Sequence, residues 1–229
     1  MRPLVIAIDG PSGVGKSTLA RGLAARLGIP YLDTGAMYRA VGVAAVTAGL
    51  DLEDEKRIAA VATGLQFDFA PGAPAGRLRV NGRELGDEIR GEAAGQAASV
   101  VSRHPAVRDA MVEWQRRLIA TSGGVMEGRD IGTVVLPAAP VKIYLTADLA
   151  TRAGRRQREL GRHGAADDLE TIATAIADRD ERDATREHAP LVAAADAIHL
   201  DSAGLSAGEV LARVLEIVAQ RTGHRGGGG

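Results

Sequence analysis

Residues Gly10-Pro11-Ser12-Gly13-Val14-Gly15-Lys16-Ser17-Thr18 carry the spacing Gly-x4-Gly-Lys-Ser, which suits phosphate. Glycines let backbone N–H groups wrap an anion at the positive end of a following helix. Lys16 adds a point charge near the β and γ phosphates of a nucleotide, and the Ser17 hydroxyl is suited to ligate Mg²⁺. The flanks agree with this reading. Leu4 to Ile8 are apolar and mostly branched, as in a buried strand, and Thr18 to Leu27 place apolar residues at helical spacing. Strand, glycine loop and helix form the context in which this motif has a mechanism. The expected ligand is a nucleoside triphosphate.

Two more charged clusters follow apolar runs. One is Asp33-Thr34-Gly35 with Arg39, and the other is Glu127-Gly128-Arg129-Asp130. In open α/β sheets ligands gather at the carboxyl ends of strands, so both clusters are expected to share one crevice with the glycine loop. Glu127 and Asp9 are candidates to hold Mg²⁺ through water; the alternative for each is a solvated acid at a strand end. Arg179, Arg182, Asp183 and Arg186 recur at i, i+3, i+4 and i+7, which places them on one helical face. Three like charges there repel unless an anion answers them, and Asp183 answers only part. The alternative is a solvated face laced with Asp178, Asp180, Glu181 and Glu187. Arg152, Arg155 and Arg156 form a second such face beside the Gly161–Gly164 loop, the makeup of a mobile lid or of another solvated face. Histidines 104, 163, 188, 199 and 224 show no metal spacing, and His199 reads as the surface residue of a strand.

A kinase acting on an alcohol positions a base for the hydroxyl proton. A phosphate monoester needs none, because its second pKa is about 6 and the attacking oxygen is already ionised near pH 7. It needs cations to hold two approaching anions. With many arginines and only Asp33 as a possible base, the balance favours a phosphate acceptor.

The elements that must position these groups follow in order. The 229 residues suit one α/β domain with insertions, or at most two small domains, and 45% hydrophobic content allows a full core. Net charge of −1 argues against a nucleic-acid or membrane-surface protein. Without cysteine there are no disulfides or thiolate metal sites, and a reducing, cytoplasmic setting is expected. The first apolar run is too short for a signal peptide, and no stretch approaches the span of a membrane. Gly28 closes the first helix, and Ile29 to Leu32 read as a strand. An alanine-rich helix from Ala36 to about Gly49 is capped by Asp33 or Thr34, and a charged helix spans Leu52 to about Thr63. Residues 64–105 break the rhythm: short alternating strands, a Pro/Gly/Ala loop at 70–76, an Asn81-Gly82 hairpin turn and a helix over Glu92–Ser102 read as a small α+β insertion. Helices are expected at Ala106–Ile119, Leu149–Leu160, from about Asp168, and at 207–220 behind Ser206. Strands are expected at Val141–Leu145 and Ala197–Leu200. The tail from Thr222 reads as disordered. The fold class is α/β: a P-loop three-layer fold with a parallel sheet, helices on both faces, the insertion and a short lid.

Assembled, Ile8–Ser17, Leu32–Arg39, Glu127–Val135, Val141–Leu145 and Arg179–Asp183 with Arg186 resemble the bacterial cytidylate kinases, a family of nucleoside monophosphate kinases, over nearly the whole chain. The resemblance implies phosphoryl transfer from ATP to CMP or dCMP with Mg²⁺, and a monomer. It implies a core of about 1–33, 106–151 and 167–221, a monophosphate-binding insertion of about 34–105 and a lid of about 152–166. Cytosine contacts fall on Ser99, Arg108 and Asp130. Acceptor-phosphate contacts fall on Arg39 and Arg129, with Ser12 nearby and Arg186 close. Sugar contacts fall on Arg179 and Asp183, with Thr34 alongside. Arg155 and Arg156 would screen the transferring phosphoryl group, together with Lys16, Arg129, Arg179 and Arg186. One rival is a P-loop kinase for a small hydroxylated acceptor such as shikimate, with Asp33 as base; the insertion and the arginine stripe stand against it. A non-enzymatic nucleotide switch is the other, but the one asparagine, Asn81, is followed by Gly82 and cannot begin the guanine-reading Asn-Lys-x-Asp motif.

Overall fold

A computed structural model describes residues 3–69, 78–89, 91–162 and 168–223. The loop at 70–76, residues 163–166 of the expected lid and the tail 224–229 lie outside the described residues. The apolar run becomes β1 (Val5–Asp9), whose Ile6, Ala7 and Ile8 are fully buried. The other strands of the main sheet are β2 (Tyr31–Asp33), β6 (Gly124–Gly128), β7 (Val141–Thr146) and β8 (Ile198–Asp201), and the order is β2-β6-β1-β7-β8. The pairs β2–β6, β1–β7 and β7–β8 are parallel. Their register sets Asp33 beside Glu127 and Asp9 beside Tyr144, so the carboxylates sit at carboxyl ends of strands.

The chain divides into two compact units, Met1–Val5 with Ala24–Glu127, and Ile6–Leu23 with Gly128–Gly229. In the first, α2 (Thr34–Thr47) packs on α4 (Glu92–Val101), and α3 (Glu55–Gly64) packs on α5 (Pro105–Ile119). A small antiparallel sheet of β3 (Phe67–Phe69), β4 (Leu78–Val80) and β5 (Arg83–Glu84) turns at Asn81-Gly82, as the sequence predicts. It is tied to α5 by an edge-to-face contact between Phe67 and Trp114, centroids 5.9 Å apart. Fully buried Met37, Val41, Ile58 and Met111 fill this unit. In the second unit, α6 (Leu149–Arg162) lies on α7 (Leu169–Thr185) through Ala153, Ile172 and Ile176. The last helix, α8 (Ala207–Thr222), packs on β7.

Short polar residues start the helices, although α3 begins at Glu55 behind Asp54, three residues later than the expected start at Leu52. The side chains of Asp33, Asp54 and Asp168 accept the backbone N–H groups of Ala36, Arg57 and Thr171. Ser206 forms a reciprocal box with Glu209. Each such cap is worth about 1 kcal/mol. Of the two candidates ahead of α2, Asp33 is the cap, and Thr34 is already inside the helix. Two further features depart from the sequence reading. The arginine stripe is broken: α7 ends at Thr185, so Arg186 lies past it and donates to the Ala189 carbonyl, while Arg182 is solvent-exposed and donates to the Asp178 carbonyl. The second is a π-helical turn over Ile131–Val135, where Val135 N–H reaches Asp130 O at 3.1 Å and Leu136 N–H reaches Ile131 O at 2.7 Å.

Candidate functional site

The glycine loop leaves β1 at Asp9 and enters α1 (Lys16–Leu27). A Cβ on Gly10 would run into the Leu145 carbonyl oxygen, so only glycine lets the loop lie this close to β7. The loop carbonyls are engaged one after another. Lys16 Nζ donates to Pro11 O at 2.7 Å. Arg152 Nη1 donates to Ser12 O at 3.0 Å, and Arg155 Nη1 to Val14 O at 3.2 Å. Ser202, buried in the turn after β8, donates its hydroxyl toward Val14 O at 3.1 Å or Thr146 O at 3.0 Å. Arg155 also donates to Ser202 Oγ and O, at 2.9 and 2.7 Å. Side chains thus hold the loop by its acceptors, and backbone N–H groups are what such a loop offers to phosphate oxygens. Lys16 is buried, Ser17 is partly exposed and Thr18 is exposed.

The same unit holds the charged residues of 128–130 and α7. Arg129 Nε donates to Asp183 Oδ2 at 2.6 Å, with both side chains mostly buried. Arg186 Nη2 lies 3.7 Å from Asp130 Oδ1, each side chain 8% exposed. Burial pushes the Asp183 carboxyl up, but the guanidinium groups of Arg129, Arg179 and Arg186 outweigh it and hold the pKa below the usual carboxylate value. Arg186 also faces Asp130, so three guanidinium groups gather around two carboxylates, and guanidinium groups are the donors suited to an added phosphate. Asp9, 4% exposed, accepts Ile131 N–H at 2.8 Å and Gly132 N–H at 2.7 Å and so ties down the π-turn that follows Arg129-Asp130. Burial is the largest influence on Asp9 and raises its pKa to about 6, against the pull of those two N–H bonds. Arg156 pairs with Glu159 on a more exposed face of α6.

The first unit carries its own group. Thr34 Oγ1 donates to Glu127 O at 2.7 Å, and the Tyr31 hydroxyl donates to Glu127 Oε1. Arg39 Nη2 donates to Asp33 Oδ2 at 2.9 Å, while Asp33 Oδ1 serves as the helix cap. Both oxygens of Asp33 are therefore engaged, which weakens its case as a base. Arg108 is buried, with its guanidinium carbon 5.9 Å from the Tyr38 ring centroid, and donates weakly to Ser102 O at 3.5 Å. Ser99 lies on α4, which packs on the helix of Arg39.

Sequence reasoning missed Ser202 and the role of Asp180, whose Oδ1 accepts Ser12 N–H at 3.0 Å. Asp180 read as a counter-charge for its neighbours, and nothing in the spacing links it to a loop 168 residues away. Ser202 carried a faint signal: it follows the last strand, where ligand-side turns occur. Among the described residues no group of three or more His, Cys, Asp or Glu could hold a metal, and no helix is long and apolar enough to cross a membrane.

A parallel sheet whose first strand feeds a glycine loop and lysine at a helix start defines a P-loop kinase fold. A solved structure of an uncharacterized protein from Eubacterium ventriosum shares that fold, with a TM-score of 0.52 and 13% identity over 95% of this chain and 99% of the other. The cytidylate kinase family model matches residues 6–220. The cytidylate kinase of Geobacillus kaustophilus is 46% identical over 97% of this chain and 99% of its own length. That of Rhodococcus opacus is 44% identical over 96% of each. The chain belongs to the cytidylate kinase family.

Proposed function

We propose that this enzyme transfers the γ-phosphoryl group of ATP to CMP and dCMP, giving ADP and CDP or dCDP. Within the family assignment, the observation that carries the reading is the gathering of guanidinium groups: Arg129, Arg179 and Arg186 all act on Asp183, and Arg186 also faces Asp130. Such a cluster of guanidinium groups suits a second anion beside the donor phosphates, and an ionised phosphate acceptor asks for no base.

Residues 10–18 take ATP, with Lys16 on the β and γ phosphates. The residues assigned to CMP are Thr34, Arg39, Ser99, Arg108, Arg129, Asp130, Arg179, Asp183 and Arg186. Ser99, Arg108 and Asp130 read the cytosine edge. A buried polar group left unpaired by a wrong base rejects it strongly, which is how such a set discriminates. Arg39, Arg129 and Arg186 hold the acceptor phosphate, and Arg179 and Asp183 hold the sugar. Arg155 and Arg156 contribute positive charge from α6; Arg155 does so while bracing Val14.

The donor set fits Mg²⁺, being all oxygen: the Ser17 hydroxyl would bind directly, and the Glu127 and Asp9 carboxylates through water. Bound there, Mg²⁺ neutralises charge on the donor phosphates. What the chain itself does is bring two anions end to end, screen them and exclude water.

The test is ADP release with ATP and, separately, CMP, dCMP, UMP, AMP and shikimate. CMP and dCMP should be clearly the best acceptors. A better rate with shikimate or AMP overturns the proposal.

A further inference from the structure

Ser12 is held at both of its main-chain polar atoms by two side chains that also hold each other. Its N–H donates to Asp180 Oδ1 at 3.0 Å, its carbonyl accepts from Arg152 Nη1 at 3.0 Å, and Arg152 Nη1 is bonded to Asp180 Oδ2. The two side chains are only 10% and 19% exposed. Arg152 Nε donates to Ala147 O at 3.1 Å, which fixes the guanidinium from its other side and ties it to the connection between β7 and α6. Low exposure strengthens these bonds and makes loss of one partner costly.

The position of Asp180 gives this clasp its meaning. It lies on α7 between Arg179 and Asp183, and Asp183 grips Arg129. One helix therefore holds the donor loop at Ser12 and, three residues on, the arginine proposed to hold the acceptor phosphate. We propose that Asp180 and Arg152 are positioning residues that set the distance between the donor loop and the acceptor arginine. Neither needs to touch either nucleotide. This rests on the reading of the chain as a CMP-phosphorylating enzyme, since it assigns Arg129 to the acceptor.

A group that fixes the alignment of two bound reactants acts on turnover more than on binding, and a misplacement of about 1 Å can cost about 100-fold in rate. Three variants separate this from a plain stabilising role. Asp180→Ala removes the clasp. Asp180→Asn keeps a side-chain oxygen for Ser12 N–H but loses the charge. Arg152→Met keeps the apolar stem and loses the guanidinium. Steady-state kinetics are measured with ATP and CMP, with rates normalised to folded protein by thermal melts.

Asp180→Ala should lower kcat about 100-fold while both KM values stay within about threefold. Asp180→Asn should recover at least tenfold of that loss. Asp180→Ala combined with Arg152→Met should be no slower than the worse single variant, because they break one device. If Asp180→Ala lowers the melting temperature but leaves kcat per folded molecule unchanged, the clasp is only structural and the proposal fails. Losses that multiply in the double variant also overturn it. A wild-type enzyme that does not phosphorylate CMP would instead sink the underlying reading, so the two failures are distinguishable.

Discussion

Asp9 and Asp183 are buried carboxylates of the same unit, 4% and 8% exposed, and their surroundings push them in opposite directions. Asp9 is met chiefly by two backbone N–H groups, and burial still lifts its pKa to about 6. Asp183 is met by three guanidinium groups, and burial loses to them. Backbone dipoles carry no net charge: they fix where the carboxylate points but offset only part of its desolvation. Guanidinium groups supply full charge. The Asp9 region thus trades stability for a fixed turn after Arg129-Asp130, whereas in the Asp183 region full opposite charges keep the carboxylate ionised.

The largest effect is expected from Asp183→Asn, which removes the charge that answers the Arg129 guanidinium. Breaking one side of a buried pair costs about 3–5 kcal/mol. Because the folded pKa of Asp183 is depressed, its stabilisation is present above the ordinary carboxylate value of 3.8 and is lost as pH falls below it. Denaturant unfolding of wild type and variant should therefore differ most near pH 7 and converge in acid. A gap independent of pH would mean that the arginines are not what holds this carboxylate ionised.

Asp9→Asn should show the opposite trend. With a raised folded pKa, the contribution of Asp9 to stability is present below 3.8 and lost as pH rises towards about 6. The variant lacks that loss. Relative to wild type it should gain about 3 kcal/mol between pH 4 and pH 7, on top of a constant penalty for the N–H that loses its acceptor. Parallel curves would erase the contrast between the two carboxylates.

The smallest effect concerns the turn itself. A Cβ on Gly132 would lie 3.2 Å from Lys142 Cδ and 3.3 Å from Asp9 Oδ2. Gly132→Ala should cost about 1–2 kcal/mol through overpacking, read as a fall in melting temperature. An unchanged melt would show that the turn gives way and that Asp9 does not fix it tightly.

Most elements were legible because local rules and burial agree. Asp168 and Ser206 each precede a helical pattern, the hairpin is written in Asn81-Gly82, and β1 is a run of apolar residues ending in the glycine loop. The start of α3 reads as Leu52 in the sequence, because nothing local marks Asp54 rather than Asp51 as its cap. The π-turn was not legible, since Ile131–Val135 is an ordinary apolar run and its hydrogen-bond pattern is imposed by Asp9, more than 120 residues away. The stripe at 179–186 was read from spacing alone, and spacing does not announce that the helix stops at Thr185. At the candidate site the residue types were plain. What each arginine of α6 grips was not: Arg152, Arg155 and Arg156 look alike in sequence yet meet Asp180 and Ser12, Val14 and Ser202, and Glu159.

The hold on Ser12 has a consequence for how variation in this chain would be interpreted. Both of its contacts use main-chain atoms, so every residue except proline at position 12 preserves them. The clasp itself therefore places no demand on the side chain at position 12. Its demands would fall on the side chains at 152 and 180, far along the chain from the loop they hold.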